Sequence, residues 1–178
     1  MFVLDSVAFF TRRHPQGELL TAPGVEPELV NRRSREYHAQ LAAAGMQVAS
    51  ADADAQQRVA AAARETGDAG VLSPVDAQLL ALALERGATL ITDDFAMQNV
   101  AASLGIVWLP VETAGIARQQ RWRWTCSGCG ASPKGDVTPS RAAKPATEGN
   151  RRSRVRQRWD EPHGECPTCG SELRRTRR

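Results

Sequence analysis

The stretch SPVDAQLLALALERGATLITDDFAMQNVAASL, residues 73–104, places a short apolar strand between two helices. Ser73, followed by Pro and three residues later by Asp76, is a typical helix start, and a glycine ends that helix. ATLIT, residues 88–92, predicts a buried strand, and residues 95–104 predict a second helix that also ends at a glycine. This order of elements is typical of α/β proteins with a parallel sheet.

The rest of the first 117 residues continues this alternation. FVLDSVAFF, residues 2–10, predicts a strand that is buried on both faces and interrupted by a carboxylate. Further helices are expected at 27–44 and 52–66, and further strands at 46–50 and 106–109. We therefore predict an α/β fold with a mainly parallel central sheet flanked by helices. Ligands of such a sheet bind at the carboxyl ends of its strands.

Composition excludes several classes of protein. A hydrophobic fraction of 42% is too high for a disordered chain. No apolar run approaches the ~18 residues that cross a bilayer, and no basic leader precedes the first strand, so neither a membrane span nor a secretory signal is expected. We expect a cytoplasmic protein, in which four cysteines are more typical of metal binding than of disulfides.

Charge divides the chain into two parts. Residues 1–117 carry 8 basic and 14 acidic residues, whereas residues 118–178 carry 15 basic and 6 acidic residues. The basic end uses Arg far more than Lys. Because the planar guanidinium pairs with phosphate and stacks on bases, nucleic acid is the first partner to consider.

Carboxylates occur where strands give way to loops or helices, at Asp5, Glu28, Asp76 and the pair Asp93–Asp94. Brought together, they would offer the hard oxygen ligands that Mg²⁺ or Mn²⁺ prefers, and such ions activate water towards a phosphodiester. Each residue alone also has a structural interpretation. Asp5 can bond to backbone amides, Asp76 can complete a capping box, Glu28 can favour a helix dipole, and Asp93 or Asp94 can cap a helix. The set as a whole predicts metal-dependent chemistry. None of the three histidines lies in a catalytic motif, and each is expected to be solvated.

TCSGCG and CPTCGS, residues 125–130 and 166–171, contain two C-x-x-C pairs, each followed by glycine. This pattern is typical of zinc knuckles, and four thiolates suit a closed tetrahedral structural Zn²⁺ site. Disulfides are the alternative. The intervening residues 130–165 exceed the usual spacing of ~15–20, which indicates an insertion. The predicted ligands are Cys126, Cys129, Cys166 and Cys169.

The basic end alternates Arg and Trp before the first knuckle and has an arginine run inside the insertion. The insertion, residues 131–165, is rich in Pro, Ser, Ala and Arg and is expected to be flexible. Interleaved Arg and Trp can pair with phosphates and stack on unpaired bases of RNA. The alternative is that the tryptophans pack in the core of a zinc ribbon and the arginines are solvated. The candidate RNA-binding residues are Arg121, Trp122, Arg123, Trp124, Arg151, Arg152, Arg154, Arg156 and Arg158.

VLDSVAFF, LSPVDAQLLALALE, LITDDFAMQNVA, RWRWTCSGCG and CPTCGSEL together resemble the Nob-type endoribonucleases of small-subunit ribosome assembly. The resemblance implies a PIN nuclease domain at 1–117 and a zinc ribbon at 118–178. It also implies cleavage of precursor rRNA at the mature 3′ end of the small-subunit RNA, dependent on Mn²⁺ or Mg²⁺. The expected partners are that rRNA and the pre-small ribosomal subunit, with no membrane and no organic cofactor.

By position, the resemblance implies that the catalytic acids are Asp5, Glu28, Asp76 and Asp94, with Asp5, Asp76 and Asp94 as metal ligands. Asp94 fits the PIN pattern better than Asp93, because the family places its acid two residues after the Thr. Gln78 departs from the pattern, since many relatives have a second acid there. Two other functions stay open: a toxin-like PIN ribonuclease, against which the ribbon argues, and a non-catalytic RNA-binding assembly factor.

Overall fold

The structure is a computed structural model that describes residues 1–133 and 164–177. Its centre is a five-stranded parallel sheet with the strand order β3-β2-β1-β4-β5. The strands are β1 (Phe2–Leu4), β2 (Leu19–Thr21), β3 (Gln47–Val48), β4 (Thr89–Ile91) and β5 (Trp108–Leu109). Because every strand is parallel, all the carboxyl ends lie at one edge. β1 and β4 pair at the centre, where the strand order reverses and ligands of such sheets bind.

Helices flank this sheet and share one apolar core with it. A short 3₁₀ helix precedes α2. None of the helices in the described residues is long and apolar enough to cross a membrane. The helices are α1 (Ser6–Thr11), the 3₁₀ helix (Glu26–Glu28), α2 (Arg32–Ala43), α3 (Ala53–Thr66), α4 (Pro74–Arg86) and α5 (Phe95–Leu104).

Two acidic residues start the helices that border the sheet edge. In α4, the Ser73 hydroxyl accepts a hydrogen bond from the Asp76 N–H at 3.1 Å, and the Asp76 carboxylate accepts one from the Ser73 N–H at 2.7 Å. In α5, the Asp94 carboxylate accepts hydrogen bonds from the N–H groups of Ala96 and Met97. Because each helix start fixes the backbone beside its acid, the capping bonds also hold these carboxylates in place.

The first predicted strand was wrong in length. It ends at Leu4 rather than Phe10, because Asp5 caps a short helix, accepting a hydrogen bond from the Ser6 N–H at 2.5 Å. The residues that follow are apolar, and a short buried helix and a buried strand have the same apolar pattern. The short strand β2 was missed, since LLT has too few residues to show a period.

The start of the second predicted helix and the histidine prediction also need correction. α2 begins at Arg32 with Asn31 as its cap, whereas Pro27 lies in the 3₁₀ helix. His38 is buried rather than solvated, with its ring centroid 5.1 Å from that of Phe9. Its apolar partner comes from α1, which the sequence did not predict.

After β5, the chain forms a two-stranded antiparallel ribbon, β6 (Trp122–Cys126) and β7 (Leu173–Arg177). Its small core consists of Cys126, Cys166 and Leu173, with Trp124 packed against it. Each cysteine pair ends in a tight turn closed by a glycine N–H, which donates to the carbonyl oxygen of Cys126 or Cys166. The strands therefore bring the two knuckles together.

The ribbon packs directly against the α/β body. The Arg175 guanidinium forms a buried ion pair with Asp68, at the end of α3. Asn99 of α5 clamps the chain just before the ribbon, since its side chain accepts from the Gln120 N–H at 2.5 Å and donates to the Gln120 carbonyl at 2.7 Å. A Cβ atom on Gly67 would lie only 2.5 Å from the carbonyl oxygen of Trp122. The contact is therefore close and polar.

Candidate active site and zinc ribbon

Asp5 lies at the carboxyl end of β1, where its backbone N–H donates to the Ile91 carbonyl of the neighbouring β4. Its carboxylate is buried, and Oδ2 accepts a hydrogen bond from the Thr92 hydroxyl at 2.8 Å. The same hydroxyl oxygen accepts from the Asp94 N–H at 3.1 Å. Thr92 thus joins the two acids that follow the two central strands. It is fully buried, so its hydrogen bonds lie away from water.

Two of the predicted acids, Asp76 and Asp94, act through their charge on the buried Asp5 carboxylate. The pKa of Asp5 is raised from 3.8 to about 7, mainly by burial and then by the negative charges of Asp76 and Asp94. The hydrogen bonds from Thr92 and Ser6 act in the opposite direction but are weaker than burial. Asp76 and Asp94 are themselves half-buried at the starts of α4 and α5.

The two other acids considered from the sequence have different surroundings. The Asp93 carboxylate accepts hydrogen bonds from the backbone N–H groups of Val111, Glu112 and Thr113, and from the Thr113 hydroxyl. It thereby fixes the loop after β5. Glu28 is exposed at the end of the 3₁₀ helix. The geometry therefore favours Asp94 over Asp93 as the acid of the site.

The chemistry of this site suits a divalent cation. The negative charges of Asp76 and Asp94 act on the buried Asp5 carboxylate, and a hard cation with oxygen ligands stabilises such a group of acids.

The four cysteines form a compact cluster of free thiols. One ligand atom from each lies within 4.8 Å of all the others, which fits a tetrahedral zinc site. The Sγ atoms of Cys126 and Cys169 are 3.4 Å apart and those of Cys129 and Cys166 are 3.7 Å apart, too far for disulfides. The N–H groups of Gly128 and Cys129 point to the Cys126 sulfur at 3.3 and 3.4 Å, as in zinc knuckles.

Hydrogen bonds within the cluster shift the pKa values of its thiols in opposite directions. The hydroxyl and then the N–H of Ser171 lower the pKa of the Cys169 thiol to about 6. The N–H of Ala131 acts to lower the pKa of Cys129, yet hydrogen bonds with Cys169 and Cys126 leave it raised to about 12. Amide and hydroxyl donors aimed at sulfur stabilise thiolates, the form that binds metal.

The residues predicted to bind RNA have different surroundings. Arg121 and Arg123 are exposed. Trp124 packs against the ribbon core, and Trp122 lies beneath the guanidinium of Arg175, 4.7 Å from its ring centroid. The surroundings of both tryptophans therefore fit packing within the ribbon better than an exposed surface on which RNA bases stack. The predicted residues Arg151, Arg152, Arg154, Arg156 and Arg158, and the flexibility expected of the insertion, lie outside the described residues.

Sequence reasoning missed the residues that connect the parts of the site. Thr92 could have been suspected, since a polar residue ends an otherwise apolar strand directly before two acids. Gln98 is fully buried on α5, where it donates to the Thr92 carbonyl at 2.9 Å and accepts from the Ile116 N–H at 2.9 Å. Asp68, Asn99 and Arg175 have no local signal, because their partners are distant in sequence.

Comparison with known proteins identifies the family. Residues 2–85 match the PIN domain of ribonuclease. The endoribonuclease Nob1 of Archaeoglobus fulgidus is 34% identical over 142 residues, which cover 77% of this chain and 84% of that protein. Nob1 of Pyrococcus abyssi is 34% identical over 142 residues, covering 77% and 86%. Ribonuclease VapC1 of Thermoplasma acidophilum is 34% identical over 131 residues, covering 72% and 67%. A PIN domain with acids at its sheet edge, a four-cysteine cluster and this similarity together show that the chain belongs to the Nob1 family of PIN-domain endoribonucleases.

Proposed function

We propose that this chain is a Mn²⁺- or Mg²⁺-dependent endoribonuclease that cleaves precursor small-subunit rRNA at its mature 3′ end. The observation that carries the proposal is the buried Asp5 carboxylate, with Asp76 and Asp94 acting on it at the carboxyl ends of the central strands. The similarity to Nob1 endoribonucleases supports an RNA substrate and action on the small ribosomal subunit.

Asp5, Asp76 and Asp94 would hold the catalytic ion. When bound, the ion supplies Lewis acidity and lowers the pKa of a water that attacks the phosphodiester. Thr92 orients the Asp5 carboxylate through its hydroxyl and fixes the start of α5 through the Asp94 N–H. Because these acids repel one another, they favour a bound cation, and phosphate groups of RNA reach such a site only when that cation offsets the negative charge.

The ribbon would supply structure and RNA contacts rather than chemistry. Cys126, Cys129, Cys166 and Cys169 would hold one structural Zn²⁺, since four thiolates leave no position for water. The exposed Arg121 and Arg123 on and beside β6 would contact RNA phosphates. The RNA-binding role of the insertion arginines belongs to the same proposal.

The test is an RNA that spans the 3′ end of the precursor small-subunit rRNA, incubated with the protein in Mn²⁺, Mg²⁺ or EDTA. We expect one metal-dependent cut that leaves a 3′-hydroxyl at the mature end. Asp94→Asn should abolish the cut and retain RNA binding, because Asn is also a good helix cap but removes the charge. Asp54→Asn, an exposed change in the first turn of α3, is the matched control and should cut normally.

Other outcomes distinguish the alternatives. Cuts at many single-stranded sites, with no preference for the rRNA end, would favour a toxin-like ribonuclease. RNA binding without a cut, unchanged by Asp94→Asn and by added metal, would favour a non-catalytic assembly factor. Metal analysis of the purified chain should give one zinc per chain, and its absence would contradict the assignment of the cysteines.

A further inference from the structure

The arginines of the α/β body are not evenly distributed. Residues 1–117 contain eight basic residues, all arginines, in a region that is acidic as a whole. Five of them lie in two short segments, at the end of α1 and the start of α2, and all five are exposed. They are Arg12, Arg13, Arg32, Arg33 and Arg35.

The two segments meet across a groove, here called the α1–α2 groove, which is lined by residues 9–12 and 31–34 and has a volume of about 470 Å³. Its lining contains Arg12, Arg32 and Arg33 and no Asp or Glu. Within the described parts of the chain, the ion pair that these three arginines form is Arg32 with Glu36, at 2.6 Å. The groove therefore keeps a positive charge in a body whose net charge is negative.

Local backbone geometry holds Arg12 at this groove. Arg12 ends α1 with a φ of 57°, a left-handed conformation that is unfavourable for residues with a Cβ atom. Its Nη2 donates to the Arg33 carbonyl at 3.4 Å, and its guanidinium carbon lies 5.6 Å from the centre of the Tyr37 ring. A neutral carbonyl and an aromatic face orient this guanidinium without neutralising its charge, which leaves it able to pair with an anion.

The start of α2 forms the opposite wall and adds backbone donors. Asn31 caps this 12-residue helix and accepts a hydrogen bond from the Ser34 N–H at 2.7 Å. The first turn of a helix presents further N–H groups and the positive end of the helix dipole, both of which favour anions. Beside three arginines, this wall suits phosphate groups rather than a neutral ligand.

The groove also adjoins the acidic site. α1 begins directly after Asp5 and has six residues, so its far end lies about 9 Å along the helix from that carboxylate. The chain enters α2 from the 3₁₀ helix, whose last residue, Glu28, is three residues before the Asn31 cap. A single strand whose phosphodiester reaches Asp5 can therefore continue across the arginines.

We infer that the α1–α2 groove is an anion-binding track for the sugar–phosphate backbone of the RNA strand beside the cleavage site, with Arg12 and Arg33 as its main phosphate contacts. This inference rests on the proposed nuclease function. It explains how a body with an excess of acids holds a polyanion at its own surface, independently of the basic ribbon.

The test compares two double variants of the full chain that remove the same charge. Arg12→Gln/Arg33→Gln changes the groove, and Arg58→Gln/Arg64→Gln changes two exposed arginines of α3. The probe is a single-stranded RNA oligonucleotide without added divalent ion, measured by fluorescence anisotropy over a salt series. We expect the groove variant to bind about tenfold more weakly, with a salt slope lower by about 1.4, since each phosphate contact on single strands contributes about 0.7. The control should change affinity by less than about twofold.

Equal RNA affinities and salt slopes for the two variants would overturn the inference. If the parent binds polyglutamate and only the groove variant loses that binding, the partner of the groove is an acidic protein instead. A cleavage assay separates this failure from failure of the proposed function. If the parent cuts RNA and the groove variant cuts with unchanged KM, the inference fails and the nuclease proposal stands. If the parent never cuts RNA but the groove variant binds RNA more weakly than the parent, the nuclease proposal fails and the assignment of the groove as an RNA-binding surface stands.

Discussion

Arg175→Met should destabilise the whole protein by about 3–5 kcal/mol at pH 7, the usual cost of removing one partner of a buried ion pair. The side chains of Arg175 and Asp68 are only 4% and 0% exposed. Burial raises the pKa of Asp68 and lowers that of Arg175, although each charge stabilises the other. Without Arg175, the fully buried Asp68 carboxylate keeps neutral hydrogen-bond partners, the Asn99 amide and the Thr66 side chain, but has no cation to offset its charge. Methionine keeps an apolar side chain beside Trp122, so the loss should come mainly from the charge.

Urea unfolding at two pH values gives the assay and its internal control. Removing Arg175 should raise the pKa of Asp68 further, because the cation no longer favours the ionised form. A folded-state pKa above the unfolded value means that stability is lost as pH rises through that window. The destabilisation should therefore be much smaller at pH 4.5 than at pH 7.

The double variant Asp68→Asn/Arg175→Met tests whether the buried charge is the cause. Asn can still accept the hydrogen bond from Asn99, and neither charge then remains buried. Its stability should recover to within about 1–2 kcal/mol of the parent, as for other buried pairs that are replaced together. A single variant that loses under about 1 kcal/mol, or a double variant whose loss equals the sum of the single losses, would refute this reasoning.

Three further predictions follow from the site. In metal-free protein, Asp5→Asn should raise the free energy of unfolding at pH 8 by up to about 4 kcal/mol and leave it unchanged at pH 4. The folded-state pKa of Asp5, about 7, lies above its unfolded value, so the parent loses stability as pH rises from 4 to 7. Equal urea midpoints for parent and variant at both pH values would contradict this prediction. Thr92→Val should raise the Mn²⁺ concentration needed for half-maximal cleavage about 10- to 100-fold, since the hydroxyl that orients the Asp5 carboxylate is lost. An unchanged Mn²⁺ titration would exclude this orienting role of Thr92. Gly67→Ala should lower the melting temperature more than Gly105→Ala does. Both glycines have similar φ angles, 78° and 70°, but only a Cβ at Gly67 would meet Trp122. Equal shifts in melting temperature would show that the contact between Gly67 and the ribbon contributes nothing to stability.

The sequence predicted best those elements that local signals define. α5 has the predicted bounds, Phe95–Leu104, because an acid cap precedes it and a glycine follows it. α1 was missed because its residues are apolar on all sides, so no period distinguishes a helix from a strand. The strand β3 is only Gln47–Val48, since pairing with its neighbour extends over two residues there.

The site could be predicted in its residue types but not in its connections. The acids after β1 and β4 were predictable, since parallel strands end at one edge. The hydrogen bond between Asp5 and Thr92 joins residues 87 positions apart, and that between Asp68 and Arg175 joins residues 107 apart. Such contacts depend on how the helices and the ribbon pack, which the composition of neither segment specifies. Arg175 in particular lies in a basic tail whose sequence suggests solvent exposure, yet it is buried.

Helix α5 links the ribbon to the acidic site. Its first residue follows Asp94, and Asn99 on the same helix binds both Asp68 and the backbone of Gln120. The Asp94 charge also favours the charged form of Arg175, so the arginine that docks the ribbon acts on an acid of the site. In the proposed zinc-bound ribbon, loss of the metal would remove the cross-link that holds β7, because the two strands are otherwise paired over only five residues. Arg175 would then leave Asp68 as an unpaired buried charge. Metal held by the four cysteines would therefore stabilise the helix that presents Asp94, although the two sites share no ligand.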